Sequence, residues 1–335
     1  MTSRPIDSVA GAIRPGIASN SRAARLVAGL RAAGVIDPKA RYYFHGRSEG
    51  ADARIDTGRR VPRIEASDRS TAVLSPVFDP SVTPGASWVD FCDDWSIAPD
   101  VNRVHRWRAA RSYRRAARLG EDVVVTVNSP YMAARVSAPN AIVVPNGVDQ
   151  SVADIRPEGD SRLRLVMLGS FFDGGTDARL ILDVARSTRF DEIVIAGAGS
   201  SRSLRAVVAS LRADYGSRLT VSEWIDDAHL ARLSGARTVA LIPHTVSDYA
   251  LSQDLMHVYR LIGLGIRVMC PRMLWPAHLP IDHAFLVDFG ASYSFITDWI
   301  ESTSMSEIER QDFIQANSWA ARALTIQRLL EGIHA

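Results

Sequence analysis

Asp254, His257 and Arg260 recur at i, i+3 and i+6 within the stretch 251–271, LSQDLMHVYRLIGLGIRVMCP. On a helix this spacing puts them on one side, with Leu255, Val258 and Ile262 on the other. Polar groups gathered near a helix N-terminus, with the helix dipole behind them, suit a bound phosphate or sugar. An amphipathic helix with a solvated polar face would carry the same spacing. A second cluster, Gly169-Ser170-Phe171-Phe172-Asp173-Gly174-Gly175, lies between an apolar run and a helical one. Small residues at a strand-to-helix turn let the backbone approach a phosphate closely, although a tight loop needing positive φ would use the same residues.

The third cluster, Asp90-Phe91-Cys92-Asp93-Asp94, closes another apolar run. Adjacent carboxylates point in different directions. One of Asp93 and Asp94 can therefore face a substrate as a general base while the other caps the next segment; both acting as caps is the alternative. Ile195-Ala196-Gly197-Ala198-Gly199-Ser200 resembles part of a dinucleotide fingerprint. It lacks the third glycine and does not open a domain, so it reads as a turn after a strand. The eight histidines form no metal motif with cysteine or carboxylate partners, and no metal is expected.

Residues 101–119, VNRVHRWRAARSYRRAARL, carry seven arginines and no acidic residue. A helical wheel gathers Arg103, Arg108, Arg111, Arg114, Arg115 and Arg118 into one arc with Trp107, opposite alanines and Tyr113 that can pack on a sheet. Such a face suits anionic lipid or a pyrophosphate-linked acceptor; a merely solvated face is the alternative. No recognition module for nucleic acid accompanies it.

The elements that must hold these clusters follow from pattern. A chain of 335 residues, 47% hydrophobic, can fill two cores. Apolar runs at 41–45, 71–74, 88–92, 123–127 and 141–144 are separated by helical or polar segments. A polar, linker-like stretch at 148–161 follows Pro145-Asn146-Gly147. A second series has strands at 163–168, 192–196, 219–221, 238–242, 266–270 and 284–287. Its helices fall at 177–186, 203–214, 227–235 and 254–263, and one last helix spans 306–332. Continuous apolar strands divided by helices predict parallel sheets covered on both faces. The expected architecture is α/β, two doubly wound Rossmann-like domains facing a cleft, because ligands bind beyond the C-terminal strand ends.

No apolar run reaches the roughly 18 residues that span a bilayer, and the first residues lack a secretory core. Cys92 and Cys270 fit reduced thiols. A cytoplasmic protein is expected, with a peripheral contact at the inner face of the membrane through the arginine face. Lys39 is the only lysine among 39 basic residues. With the abundant alanine, that bias suggests a GC-rich genome, so arginine content alone does not indicate nucleic-acid binding.

Several phrases resemble the GT-B superfamily of nucleotide-sugar glycosyltransferases. Val144-Pro145-Asn146-Gly147-Val148-Asp149 is similar to the phrase joining the two domains. Leu241-Ile242-Pro243-His244 resembles the strand and loop before the donor site. Leu255-Met256-His257-Val258-Tyr259-Arg260, with Gly263-Leu264-Gly265, resembles the donor-site helix and its exit, and Asn317-Ser318-Trp319-Ala320-Ala321-Arg322 resembles the final Trp-x-x-Arg run. The likeness covers residue 71 onward and is strongest in the second half. Met256–Arg260 with Gly265 and Cys270-Pro271 is most similar to the xanthan-type glucuronosyltransferases and related enzymes of bacterial polysaccharide biosynthesis. Their Met-Lys-Leu-x-Gln run places its lysine on His257 and its glutamine on Arg260. The glutamate that retaining families carry at the position of Arg260 is absent, as is their Arg…Lys pair after the first strand of the second domain.

The resemblance implies residues 1–147 as an acceptor domain, 148–310 as a donor domain, and 311–335 as a helix crossing back. It implies a hexosyltransferase-type enzyme without cofactor or metal, inverting through Asp93 or Asp94. Gly169, Ser170, Phe171, His244, Asp254, Met256, His257 and Arg260 would hold a donor expected to be UDP-linked, and Trp107, Arg111, Arg114 and Arg118 would face a hydroxyl acceptor, lipid-linked or not, or the membrane. A non-catalytic GT-B partner or scaffold, a retaining transferase and a nucleotide-sugar epimerase are the competing readings.

Overall fold

The computed structural model describes residues 5–11, 22–43, 70–83, 85–99, 101–156, 160–169, 171, 173–197, 202–223, 225–235, 237–282, 284–287, 293, 295–302 and 305–333. The chain divides into two compact units. Unit 1 comprises Met1–Asn146, Ser252–Asp254 and Trp319–Ala335; unit 2 comprises Gly147–Leu251 and Leu255–Ser318.

In unit 1 the chain runs β1 (Ile6–Ala10), α1 (Arg22–Ala32), β2 (Ile36–Tyr43), β3 (Thr71–Val73), β4 (Ala86–Phe91), α2 (Arg103–Ala116), β5 (Val124–Val127), α3 (Pro130–Val136) and β6 (Ala141–Val143). The sheet order is β2-β1-β3-β4-β5-β6, every neighbouring pair parallel. All four residues of β5 are buried, which is the signature of a strand covered on both faces. The β1 strand escapes the apolar-run pattern because its middle is Ser8, yet Ser8 is fully buried. Its hydroxyl meets that of Thr71 at 2.7 Å, so the sheet core satisfies a polar residue internally. Phe44 and His45, read as part of a strand, lie outside the described residues.

Unit 2 continues with β7 (Arg164–Leu168), α4 (Ala178–Ser187), β8 (Glu192–Ala196), α5 (Arg202–Tyr215), β9 (Leu219–Ser222), α6 (Asp227–Leu233), β10 (Thr238–Leu241), α7 (Asp248–Ser252), α8 (Met256–Gly263), β11 (Arg267–Pro271), β12 (Ala284–Val287), α9 (Ile296–Ser302) and α10 (Glu307–Asn317). Its parallel sheet is ordered β12-β11-β10-β7-β8-β9, with the direction of winding reversing between β7 and β10. Period-2 alternation divides the strand residues. Leu165, Met167, Ile193, Ile195, Val239 and Leu241 join the core beneath α4 and α5, whereas Val166, Val194, Ala240 and Val268 join the one beneath α8 and α10.

Three expected elements differ. The stretch 148–161 is not a bare linker: Val148 and Val152 are buried in the core of unit 2, the latter in a 3-10 turn, Gln150–Asp154. The final helix is two helices, α10 and α11 (Trp319–Ile333), interrupted at Ser318, which bridges Val148. Helix α11 belongs to unit 1. It packs on α1 at Gly29, where a Cβ would come within 2.8 Å of the Ala323 Cβ, so only glycine permits this approach. The donor-helix expectation, 254–263, is also too long, because α8 starts at Met256 with Leu255 as its N-cap. Asp254 therefore lies outside the helix and does not share the face of His257 and Arg260.

Candidate functional site

In unit 1 the chemistry collects just past the C-terminal ends of the adjacent strands β4 and β5. Asp93 sits two residues beyond β4 with φ of 56°, a left-handed backbone. That conformation is uncommon for residues with a Cβ, is most tolerated by Asn and Asp, and recurs at functional positions. The loop is pinned from behind. The Tyr113 hydroxyl of α2 donates to the Asp93 carbonyl at 3.0 Å and accepts the Trp95 amide at 3.1 Å.

Asp94 and Asp93 have opposite fates. Asp94 is buried and both its oxygens are taken: Oδ1 accepts the Ser96 amide and hydroxyl, and Oδ2 accepts Arg135 Nε at 2.8 Å. Its own amide donates to Ser252 Oγ at 2.9 Å. Asp93 instead accepts Asn128 Nδ2 at 2.9 Å and a hydrogen bond from Gln253. Part of the residue reaches solvent, but the carboxylate lies deep. Burial pushes its pKa up to about 6, against the pull of the Asn128 hydrogen bond and the Arg22 cation, with the Asp254 carboxylate adding to the rise. The neighbouring Cys92 thiol is raised by burial and stays neutral, as does Cys270.

Beneath this loop lies a buried polar chain. Arg22 forks Asp90 with Nε to Oδ2 at 2.9 Å and Nη2 to Oδ1 at 2.8 Å, and Thr126 donates to Oδ1 at 2.6 Å. Arg22 also donates to Asn146 Oδ1 at 3.2 Å. The Asn146 amide nitrogen donates to the Asp254 carboxylate, its side-chain amide to the Asp254 carbonyl, and its own carbonyl accepts Arg322 Nε at 3.0 Å. Asp254, expected at the donor, is thus committed to unit 1 because the Pro145-Asn146-Gly147 turn demands an acceptor for its buried amide.

In unit 2 the candidate residues gather at the winding reversal. Gly169 directly follows β7 with φ of 137°, and a Cβ there would stand 3.4 Å from His257 Nε2. Gly197 follows β8 with φ of 92°, and a Cβ on it would fall 2.1 Å from the Gly169 carbonyl oxygen. The β7 and β8 ends can approach this closely only because residue 197 is glycine, and both glycines hold a positive φ that a side chain would strain. His244 follows β10, bridges Thr176, and has a buried Nδ1 without a hydrogen-bond partner among the described residues. Burial, His244 and Arg260 depress the His257 pKa to about 4, and burial lowers that of His244. Both imidazoles are neutral near pH 7, so Arg260, half-buried three residues beyond His257, carries the fixed positive charge. Met256 opens α8 half-buried, and Phe171 is buried in the core beside α4. Ser170 lies outside the described residues.

Helix α8 is anchored at its far end. Buried Arg310 donates to the Gly263 carbonyl at 2.8 Å, placing a cation at the helix C-terminus. Gly263 itself leaves room for Val148 and Val152, whose methyls would lie 3.1 and 3.3 Å from a Cβ there.

Pattern reading missed Asn128, Gln253, Arg22 and Arg310. Asn128 is the most informative of them, since a polar residue directly after the all-apolar β5 marks a strand's C-terminal end. Among the described residues no three His, Cys, Asp or Glu side chains gather as a metal site. No helix among them is long and apolar enough to cross a membrane.

No family model matches the chain, and no curated protein matches it in sequence. In fold it is similar to several solved structures. HepE from Anabaena, in complex with UDP, matches with a TM-score of 0.61 at 12% identity over 98% of this chain and 100% of that one. A UDP-forming α,α-trehalose-phosphate synthase from Burkholderia xenovorans matches with 0.59 at 11% identity over 98% and 99%. AviGT4, a glycosyltransferase of avilamycin A biosynthesis, matches with 0.55 at 12% identity over 98% of each chain. Two Rossmann-like units, each built on a six-stranded parallel sheet, make up a fold of the GT-B type.

Proposed function

We propose that the protein is a glycosyltransferase that moves a sugar from a nucleoside diphosphate sugar to a hydroxyl acceptor with inversion at the anomeric carbon. The observation that carries this reading is Asp93. It is a deep-lying carboxylate on a half-buried residue, held in a left-handed turn at a strand's C-terminal end, with its pKa raised to about 6. It is ionised near pH 7 yet basic enough to accept a proton from an acceptor hydroxyl as that oxygen attacks. The new bond forms between acceptor oxygen and anomeric carbon, the bond from that carbon to the diphosphate breaks, and the proton ends on Asp93.

Unit 2 holds the donor. The glycine-lined strand end at Gly169 lets the backbone approach the diphosphate, and Arg260 balances the charge growing on the leaving group. His257 and His244, neutral when the site is empty, supply hydrogen bonds. A permanent guanidinium makes a divalent ion unnecessary in this scheme. The UDP bound to HepE supports a uridine donor, and the narrower kinship with xanthan-type glucuronosyltransferases rests on Met256–Arg260 and Gly265.

Asp93→Asn tests the reading. It should lower kcat by about 10²–10⁴, the usual contribution of a general base, while nucleotide affinity stays near wild type. Near wild-type turnover in that variant, or a product that keeps the donor's anomeric configuration, would reject Asp93 as the base of an inverting transfer.

A further inference from the structure

The inner face of α2 props the Asp93 loop through Tyr113; its outer face has no assigned task. The buried side consists of Ala109, Ser112, Tyr113 and Ala116. Directly opposite, at 100° per residue, run Arg103, Val104, Trp107, Arg111 and Arg114, with Arg118 in the turn just past the helix end. Trp107, near the middle of this outward arc, is 57% exposed, and Val104, at its edge, is 58% exposed. An ordinary solvated face mixes charges of both signs and hides its tryptophans, whereas this helix has no acidic residue.

The ion pairs sharpen the picture. Arg111 and Arg115 share Asp79, which caps the neighbouring turn, Pro80–Val82. The Arg111 guanidinium also lies 5.5 Å from the Trp107 ring centre and holds the indole outward. Arg103, Arg114 and Arg118 are exposed and have no acidic partner among the described residues. Val82, on the turn that Asp79 ties to Arg111 and Arg115, is 68% exposed. Unneutralised guanidinium groups around an outward indole and valines match one chemistry. Anionic headgroups meet the arginines, while the indole and valines enter the boundary between headgroups and acyl chains.

We propose that the outer face of α2 docks the protein on an anionic lipid bilayer. The docking does not depend on the transferase reading, because none of the residues assigned to donor or proton lies on this face. Nucleic acid would also attract the arginines, but a duplex or single strand gives Val104 and Val82 nothing to enter, so the exposed aliphatic side chains favour lipid.

The test is co-sedimentation of the full chain with vesicles of phosphatidylglycerol and phosphatidylcholine, against vesicles of phosphatidylcholine alone, at low and high salt. Binding should require the anionic lipid and weaken at high salt. Each arginine near such a surface contributes on the order of fivefold, so replacing Arg103, Arg114 and Arg118 together with Gln should weaken binding on the order of a hundredfold. Trp107→Ala should weaken it at high salt as well as low, since its share is apolar. Exposed Arg202 and Arg212 of α5, changed to Gln, should leave it unaltered, which separates a docking face from general basicity. Absence of binding to anionic vesicles at low salt, equal binding by the triple variant, or preferential binding to poly(U) over the vesicles would each overturn the proposal.

Discussion

Asn128 donates its side-chain amide to Asp93 Oδ1 at 2.9 Å, while its own Oδ1 is buried without a hydrogen-bond partner among the described residues. A donor aimed at a carboxylate favours the ionised form, so Asn128 restrains a pKa that burial drives upward. Asn128→Ala should therefore move the acid limb of the pH profile of kcat/KM to higher pH, by about one unit, the size expected for a hydrogen bond to a charged group. An unmoved limb with a lower plateau would make Asn128 a packing residue instead.

The raised pKa of Asp93 is also a stability statement. Its folded value of about 6 lies above the ordinary 3.8, so between these values the folded chain binds more protons than the unfolded one. Stability consequently falls as pH rises through that window. Below it, the residue is protonated in both states and costs nothing. Asp93→Asn should stabilise the protein at pH 8 by about 1–3 kcal/mol, with the advantage shrinking toward pH 4. Asp94→Asn should destabilise it, because Arg135 and Ser96 lose an ionised acceptor. Melting temperatures of the two variants across pH 4–8 check both signs.

Nucleoside diphosphate binding should take up protons. His257 is neutral in the free protein with a pKa of about 4, and a diphosphate beside it would raise that value. Affinity should then increase as pH falls from 8 to 6, and calorimetry in buffers of different ionisation enthalpy should detect the uptake. His257→Gln should abolish the uptake. Arg260→Ala should weaken binding at every pH by about 1.5–3 kcal/mol, the range for a charge-assisted hydrogen bond. Nucleotide affinity unchanged by Arg260→Ala would remove that residue from the donor site.

Turnover should survive EDTA, since Arg260 and loop amides are assigned the task of balancing the leaving diphosphate. Activity lost on chelation and restored by magnesium or manganese would require a metal-bridged donor instead.

Sequence pattern alone determined much of this protein. The strands of unit 2 and their intervening helices stand within a few residues of where apolar runs and caps predict them, because side-chain burial on both faces of a parallel sheet leaves continuous hydrophobic runs. Strand β1 was illegible, since Ser8 breaks its run and only the partner Thr71, 63 residues away, makes that serine tolerable inside. The candidate site divides in the same way. Residue type and position single out Asp93, Asp94 and Gly169 at strand ends and His257 and Arg260 by helical spacing. Which aspartate is left to act, and that both imidazoles are neutral, was decided only in three dimensions. Asp94 is taken by Arg135, 41 residues on; Asp93 is tuned by Asn128, Arg22 and Asp254; and Asp254 leaves the donor helix because the buried amide of Asn146, 108 residues before it, needs an acceptor. Helical and strand periodicities report which face a residue occupies, but desolvation and hydrogen bonding depend on distant segments brought together by packing, and no local spacing encodes those.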